Sequence, residues 1–382
     1  MNDSVLEIVE GVKLTRSYVQ EAAENRRFRG MTDDYLEKFM KVERLDALFQ
    51  PLTIIVTTFS FMVAFGYGAV LANRGLISVG DIVAFNVYLN MLIWPMFAVG
   101  MLFNVMQRGN ASLTRINSIL DTEDDVDDKG RHGIRESDMD FGHVSFQYPL
   151  SARTNLDDVS LTLRSGQTLG IVGRTGSGKS TLIKQLLKFY PEGQGRLVID
   201  GRPISELDRG TLREKVGYVS QENILFSRTV RENILFGNPG ATEAQLEGAI
   251  HLSALDQDLK RMPEGLETMV GEKGIALSGG QKQRISIARS LIRDPDILIL
   301  DDALSAVDAK TEKRIIDGIR TNRTDKTTII VTHRLSAIQH ADLIVVLDDG
   351  RIIEMGTHDE LSASDGWYSR QNDYYLKGGA ST

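Results

Sequence analysis

The sequence predicts an all-α membrane segment followed by an α/β domain of the phosphate-loop type. Two long uncharged runs in the first third of the chain indicate the membrane segment. From about residue 140, short apolar strands alternate with helices, as in an α/β domain. Within this region, residues 173–181 read GRTGSGKST and fit the phosphate-binding pattern GxxxxGK(S/T).

The composition excludes several classes of function. A length of 382 residues suggests two or three domains. The 44 Lys and Arg residues are outnumbered by 52 Asp and Glu residues, and no basic block is present, which argues against nucleic acid as a partner. The absence of cysteine rules out disulfides, thiolate metal sites and cysteine nucleophiles.

Residues 1–50 are predicted to be helical and are too charged for a secretory signal. Ser4 to Glu7 matches a capping box, and the apolar residues that follow it share one helix face. A break is expected near Gly30, after which Thr32 would cap a second helix that runs toward Pro51.

Two membrane helices are predicted at about 52–72 and 82–106, which are uncharged runs of 21 and 25 residues. Each exceeds the roughly 20 residues that span a bilayer, although a pair of buried core helices is the alternative. Eight Lys and Arg residues precede the first run, and Arg108 and Arg115 follow the second. Both outer flanks are therefore expected in the cytoplasm, with the short turn at 73–81 facing outward.

Residues 121–139 are predicted to be a solvated acidic linker, because six of the eight residues from Asp121 to Asp128 are acidic. The α/β domain is then expected at 140–382. Its segment 222–293 reads as mostly helical, which predicts an inserted helical subdomain. Strands are expected at 141–148, 159–163, 168–172, 297–300, 328–331 and 343–347.

The loop at 173–181, here called the phosphate loop, follows a buried strand and precedes a helix, which is the setting of a phosphate-loop NTPase. Its glycines allow backbone N–H groups to surround phosphate oxygens at a helix N-terminus. Lys179 would reach the β- and γ-phosphates of ATP, and the Ser180 hydroxyl would bind Mg²⁺. A glycine-rich turn without a ligand is the alternative. The predicted nucleotide-binding residues are Gly173, Arg174, Thr175, Gly176, Ser177, Gly178, Lys179, Ser180 and Thr181.

Two further motifs add to the nucleotide site. The apolar strand at 297–300 ends in Asp301, the position from which an acid holds Mg²⁺ in phosphate-loop enzymes. Ser278, Gly279, Gly280 and Gln281 precede an amphipathic helix and form a second candidate anion site, here called the signature. One chain cannot easily fold both loops onto one nucleotide, whereas two facing chains can.

With these motifs in this order, the whole chain resembles an ABC transporter subunit of the exporter type, with membrane helices ahead of an ABC-type ATPase domain. The resemblance implies that Tyr148 stacks on adenine and that Gln221 contacts Mg²⁺ and senses the membrane domain. It also implies that His333 contacts the γ-phosphate. Without a ligand, Tyr148 would merely cap a strand and His333 would be an ordinary loop histidine.

The same resemblance assigns roles between subunits. The signature would complete the ATP site of a partner chain, and Ser305 to Asp308 would communicate across the dimer. Thr268 to Gly274 is similar to an exporter-specific loop that meets cytoplasmic coupling helices.

Asp302 departs from the family pattern, in which glutamate usually orients or deprotonates the attacking water. Aspartate is one methylene shorter, so slow hydrolysis is expected at this phosphate loop. Such a substitution occurs in heterodimeric multidrug exporters with one degenerate site, and this chain keeps an intact signature. We therefore expect a heterodimer, with a homodimer that tolerates aspartate as the alternative.

The second departure is the number of membrane helices, since members of this type have six. Residues 1–50 resemble the cytoplasmic extension between the fourth and fifth helices, with a coupling helix within 11–21. The sequence therefore resembles the C-terminal part of a half-transporter, and residues 1–120 would be a partial transmembrane domain.

The expected function is ATP-driven export of a hydrophobic or amphipathic substrate, with drugs as the expected class. A homodimeric lipid, drug or peptide exporter, a non-transport ABC ATPase and an inactive fragment are the alternatives. The expected partners are a second half-transporter, membrane lipid and a small hydrophobic substrate. The chain would be a multi-pass protein of the cell membrane with its ATP-binding domain in the cytoplasm.

Overall fold

A computed structural model describes residues 2–126, 130, 132–149, 151–271 and 277–378 of the chain. These residues form two compact units, Met1–Thr122 and Glu123–Thr382. All the regular secondary structure described in the first unit is helical, whereas the second combines strands and helices.

In the first unit, two short helices, α1 (Asn2–Glu10) and α2 (Val12–Ser17), precede two long ones, α3 (Glu21–Asn73) and α4 (Val79–Leu120). The long helices have 53 and 42 residues, and α3 continues through Pro51. At about 1.5 Å per residue, either exceeds the roughly 30 Å hydrocarbon core of a bilayer. Both are long and apolar enough to cross a membrane.

The predicted helix break near Gly30 is wrong, because α3 passes through it without interruption. The Thr32 hydroxyl donates to the Phe28 carbonyl at 2.9 Å inside the helix instead of capping a new one. A single internal glycine costs a helix only about 1 kcal/mol, which the helix-favouring residues around it outweigh. The predicted capping box at Ser4 is also wrong, since α1 already begins at Asn2.

The turn between α3 and α4 is closed by a capping box that the sequence analysis did not identify. The Ser78 hydroxyl accepts the Asp81 N–H at 3.2 Å, and the Asp81 carboxylate accepts the Ser78 N–H at 2.8 Å. Near this turn, Gly68 of α3 lies against Ile82 of α4, where an added Cβ would be 3.1 Å from the isoleucine side chain. The two helices therefore approach closely next to the turn.

The second unit contains two sheets. The strands β1 (Met139–Phe146), β2 (Leu156–Leu163), β4 (Gln194–Ile199) and β5 (Arg202–Pro203) form an antiparallel sheet in the order β2-β1-β4-β5. The larger sheet has the order β10-β9-β3-β8-β7-β6 and is parallel except for β10. Its strands are β3 (Thr168–Gly173), β6 (Val216–Val219), β7 (Ile297–Asp301), β8 (Thr327–Val331), β9 (Leu343–Asp348) and β10 (Arg351–Gly356).

Helices cover these sheets and build the inserted helical part. They are α5 (Lys179–Leu186), α6 (Arg209–Lys215), α7 (Val230–Leu235), α8 (Glu243–Leu252), α9 (Asp256–Leu259), α10 (Gly279–Leu291), α11 (Ala309–Asn322), α12 (His358–Ala363) and α13 (Trp367–Gly378). The α/β fold class and the helical segment expected at 222–293 are confirmed, since α7 to α10 lie within it.

Strand β7 shows how the core positions the site. Its side chains alternate between two apolar clusters, with Leu298 and Leu300 in one and Ile297 and Ile299 in the other. A strand buried on both faces is typical of a parallel sheet that is covered on both sides. Asp301, at its carboxyl end, is therefore held at the sheet edge where α/β domains bind ligands.

The described part of the expected acidic linker is less solvated than predicted. Val126 and Ile134 are buried within the second unit. The Asp124 carboxylate accepts a hydrogen bond from the Arg209 guanidinium at 2.6 Å and also accepts the Val126 N–H at 3.0 Å. Arginine pairing and two apolar anchors thus attach the described part of a segment whose composition alone indicated solvation.

Candidate nucleotide-binding site

The phosphate loop joins β3 to α5 with three glycines in unusual backbone conformations. Gly173, Gly176 and Gly178 have φ values of 147°, 81° and 103°. A Cβ added to Gly178 would lie 2.6 Å from the carbonyl oxygen of Asn155. Glycine is therefore required both for the backbone angle and for the close packing of the loop.

Lys179 begins α5 and its ammonium lies inside the loop. Its Nζ donates to the carbonyl oxygens of Gly173 at 2.9 Å and Arg174 at 2.8 Å. Burial lowers the pKa of Lys179, an effect that the negative charges of Asp301 and Asp302 partly oppose. The loop thus holds a desolvated cation next to two acids.

Ser180 and Asp301 come together from α5 and β7. The Ser180 hydroxyl donates to Oδ1 of Asp301 at 3.1 Å, and the Tyr218 hydroxyl donates to Oδ2 at 3.3 Å. Burial raises the pKa of Asp301 despite these two hydrogen bonds. A serine hydroxyl beside a carboxylate supplies the oxygen ligands that Mg²⁺ prefers, so the donor set fits this ion.

One cavity of about 190 Å³ unites most of the predicted site residues. They are Thr175, Gly176, Ser177, Gly178, Lys179, Ser180, Thr181, Gln221, Asp301, Asp302 and His333. Asn155, Val331 and Thr332 also line it. Val331 and Thr332 directly precede His333 in its motif, whereas Asn155 was not predicted because it belongs to no motif that the sequence analysis used. The Asn155 contact follows from the fold, which packs the turn before β2 against the phosphate loop.

The backbone of Asp302 is firmly placed behind β7. Its N–H donates to the Val331 carbonyl at 2.8 Å, and its φ of 49° lies in the left-handed region that aspartate tolerates better than most residues. On the neighbouring loop, His333 has an exposed side chain, and its carbonyl accepts the Tyr375 hydroxyl at 3.2 Å. Two loops thus meet at the cavity.

Tyr148 lies next to the cavity but does not line it. Its hydroxyl donates to the Thr181 hydroxyl at 3.1 Å. Its ring packs edge-on against Phe146 and Tyr190, with centroid separations of 5.1 and 4.9 Å, and the Lys184 ammonium lies 5.6 Å from the ring centroid. The aromatic ring is thus fixed beside the phosphate loop.

The structure does not bring the signature to this cavity. Ser278 caps α10, where its hydroxyl accepts the Gln281 N–H at 3.3 Å and its own N–H donates to Oε1 of Gln281 at 3.0 Å. Ser278 and Gly279 are exposed at the helix start. The signature therefore presents a capped, exposed helix N-terminus that does not line the cavity of its own phosphate loop.

The loop predicted to meet coupling helices, Thr268 to Gly274, is described only in part. Val270 is buried and its N–H donates to the Arg228 carbonyl at 2.9 Å, whereas Met269 is exposed. Glu272 to Gly274 lie outside the described residues.

Comparison with known proteins places the chain in a family. The family pattern described as "ABC transporter" matches residues 156–305, and that described as "ABC transporter transmembrane region" matches residues 1–96. The chain belongs to the ABC transporter family. The resemblance stated from the sequence motifs is thereby confirmed, and the ABC domain is an ATP-binding one in a membrane protein.

Two curated relatives of this ABC transporter chain are bacterial. This chain is 56% identical to "Probable multidrug resistance ABC transporter ATP-binding/permease protein YheI" of Bacillus subtilis (strain 168), over 97% of its own length and 64% of the relative. It is 38% identical to "Multidrug resistance-like ATP-binding protein MdlA" of Escherichia coli (strain K12), over 96% of its length and 62% of the relative. The chain thus spans less than two thirds of each.

A solved structure has the same architecture. The "Structure of a bacterial Atm1-family ABC exporter with ATP bound" is 32% identical to the ABC transporter chain, with a TM-score of 0.89. The match covers 97% of this chain and 66% of the solved one. A membrane helical segment followed by an ABC domain, as expected from the sequence, is therefore the architecture of an ABC exporter.

Proposed function

We propose that this chain is the ATP-binding and ATP-hydrolysing subunit of an ABC exporter. The observation that carries this proposal is the cavity in which Lys179, Ser180 and Asp301 converge beside the glycine-rich loop. Helices α3 and α4 would lie in the cell membrane as part of a multi-pass domain at 1–120, with the ATP-binding domain at 140–382 on the cytoplasmic side.

Different residues around the cavity would bind different parts of Mg²⁺-ATP. Backbone N–H groups of the phosphate loop and the Lys179 ammonium would hold the phosphates, and Tyr148 would pack on the adenine. Ser180, Asp301 and Gln221 would hold Mg²⁺, which when bound neutralises charge on the β- and γ-phosphates. His333 would contact the γ-phosphate from the opposite loop.

Asp302 would make hydrolysis at this phosphate loop slow. Its backbone is tied to the Val331 carbonyl at 2.8 Å, so the shorter side chain cannot be compensated by moving the backbone forward. The carboxylate would therefore stand back from the position where glutamate activates water, and positional errors of about 1 Å cost large factors in rate. ATP would be held here longer than it would be at a site with glutamate.

A second chain would complete the site. The signature is capped, exposed and outside the cavity of its own chain. A partner chain that faces this one would bring this helix N-terminus to its own ATP. We propose a heterodimer in which this signature serves the competent site of the partner. A homodimer is the alternative arrangement.

For the substrate, we propose a small hydrophobic or amphipathic molecule, with drugs as the expected class. This rests on the two relatives named for multidrug resistance and on the apolar surfaces that α3 and α4 expose. The residues that would discriminate between drugs, lipids and peptides lie in the substrate pathway, to which α3 and α4 contribute only a part.

The proposed pairing is tested with introduced cysteines, because the chain has none of its own. Thr175→Cys in the phosphate loop and Ser278→Cys in the signature should form an ATP-dependent disulfide only when two domains face each other. Thr175→Cys with Thr321→Cys, at the end of α11, is the matched control. Binding of fluorescent ATP without self-cross-linking supports a heterodimer, cross-linking of this chain to itself shows a homodimer, and failure to bind ATP contradicts the proposed function.

A further inference from the structure

The helix α13 is attached to the rest of the ABC domain at its first turn. The N–H groups of Trp367 and Tyr368 donate to the two carboxylate oxygens of Glu354 on β10, the second of them at 3.1 Å. A carboxylate at this end of a helix satisfies backbone donors that have no partner within the helix, and it interacts favourably with the helix dipole. The start of α13 is therefore held at the edge strand of the larger sheet.

Tyr368 fixes the rotation of α13 about its own axis. Its side chain is fully buried, and its hydroxyl lies 2.8 Å from Nδ1 of His358 on α12. A residue seven positions further along an α-helix lies on the same face, two turns away. Tyr375 is that residue, so the burial of Tyr368 also turns Tyr375 toward the domain.

Tyr375 contacts the loop that carries His333. Its hydroxyl donates to the His333 carbonyl at 3.2 Å. The neighbours of His333 are held by other bonds, since the Thr332 N–H donates to the Ile171 carbonyl at 3.1 Å and the Arg334 N–H donates to the Thr332 hydroxyl at 3.0 Å. The bond from Tyr375 is a further attachment of this loop, and it acts on the backbone of His333 itself.

The placement of the His333 side chain depends on this backbone. His333 lines the nucleotide cavity, and its side chain is exposed, so packing restricts its position less than that of a buried side chain. Because the carbonyl group and the side chain leave the same Cα atom, a bond that fixes the carbonyl limits where the imidazole can lie. A displacement of about 1 Å is large for a group that must meet one phosphate oxygen.

We propose that Tyr375 is a positioning residue for His333, and that α13 thereby sets how well the site distinguishes ATP from ADP. The inference rests on the proposed function, in which His333 contacts the γ-phosphate of ATP. ADP lacks this phosphate, so a misplaced His333 would weaken the binding of ATP and leave that of ADP unchanged. Tyr375 does not line the cavity and has no need to touch the nucleotide.

The test measures the preference for ATP over ADP of the full chain in lipid nanodiscs. A non-hydrolysable ATP analogue and ADP each compete with fluorescent ATP in the presence of Mg²⁺. Tyr375→Phe removes only the hydroxyl and should lower the preference by about two- to fivefold, with the affinity for ADP unchanged within about 1.5-fold. This is the lower part of the range for one hydrogen bond, because the Tyr375 side chain is 49% exposed and water competes for the bond.

Two further variants show whether the effect passes through His333. His333→Ala should lower the preference at least as much as Tyr375→Phe does. Adding Tyr375→Phe to His333→Ala should cause no further loss, because the hydroxyl acts only through His333. The matched control is Tyr374→Phe, which removes the hydroxyl of the exposed neighbouring tyrosine and should leave the preference unchanged.

An unchanged preference in Tyr375→Phe, an equal loss in Tyr374→Phe, or a further loss in the double variant would overturn the inference. Equal weakening of ADP and of the ATP analogue by Tyr375→Phe would also overturn it, since that result indicates a purely structural role. If His333→Ala keeps the full preference, or if the unaltered chain binds no ATP, the proposed function fails instead. The two failures are therefore distinguishable.

Discussion

Lys179→Met tests the phosphate loop most simply, because methionine keeps an unbranched side chain and removes the ammonium group. The Lys179 ammonium donates hydrogen bonds of 2.9 and 2.8 Å to two carbonyl oxygens of the loop. When ATP binds, hydrogen bonds to phosphate oxygens would replace some of them. A hydrogen bond that involves a charged group contributes about 1.5–3 kcal/mol. Removing one such hydrogen bond between the ammonium and a phosphate oxygen should weaken ATP binding by about 10- to 150-fold.

Stability should change less than affinity in this variant. The substitution leaves two carbonyl groups without their ammonium donor, but it also removes a cation whose pKa is lowered by burial. These effects have opposite signs, so we expect the melting temperature of the nucleotide-free protein to move by only a few degrees. The measurement is a titration with fluorescent ATP and Mg²⁺, alongside thermal unfolding without nucleotide.

Lys188→Met is the matched control for Lys179→Met. Lys188 is also buried and its Nζ also donates to a backbone carbonyl, that of Leu207, at 2.8 Å, but it does not line the cavity. This variant should alter stability and leave ATP affinity unchanged. Equal ATP affinity in Lys179→Met and the unaltered chain, or an equal loss in Lys188→Met, would refute the assignment of the loop.

Substitutions at three further positions probe the rest of the site. Burial raises the pKa of Asp301 in the folded protein, so ionising this carboxyl group lowers the stability of the fold. This loss of stability is absent below the unfolded-state pKa of about 3.9 and grows as the pH rises through the folded-state pKa. Asp301→Asn should therefore raise the melting temperature without nucleotide at pH 7.5, and this gain should shrink toward pH 4. Tyr148→Leu should weaken ATP binding by about 1–3 kcal/mol, the energy of stacking on the base. Tyr148→Phe loses only the hydrogen bond to Thr181 and should bind ATP nearly normally. Tripolyphosphate, which has no base, should bind both variants equally. Gly178→Ala would place a methyl group 2.6 Å from the Asn155 carbonyl oxygen at a φ of 103°, so it should lower both the melting temperature and the ATP affinity by calorimetry.

The parts of the fold predicted from sequence are those with strong local patterns. The strand and helix around the phosphate loop, and the apolar strand before Asp301, were placed because buried parallel strands read as continuous apolar runs. The short strand β6 was missed, since it has four residues and includes Gly217. A Cβ at that glycine would lie 2.6 Å from Pro295, so its reason is tertiary packing and leaves no periodic signal.

The helix break and the site contacts both show where sequence patterns are insufficient. A helix break was predicted that the structure does not have, and some contacts in the site were missed. Gly30 and Thr32 resemble helix boundary residues, yet the surrounding helix-favouring sequence carries α3 through them. Motif order identified the cavity residues, but it did not identify Asn155 or the hydroxyl of Tyr218 on Asp301, because those contacts join segments far apart in the chain. The chemistry of contiguous motifs can therefore be predicted from the sequence, whereas contacts between segments far apart in the chain are seen only in the folded structure.

The central claim is that this phosphate loop holds Mg²⁺-ATP while Asp302 makes its hydrolysis slow. It is tested most directly by the rate of phosphate release from the purified chain at saturating ATP, before and after Asp302→Glu, with the exposed Asp325→Glu as control. We predict slow release by the unaltered chain, an increase of about tenfold or more in Asp302→Glu as water activation is restored, and no change in the control. Brisk release by the unaltered chain that Asp302→Glu does not improve would contradict the account.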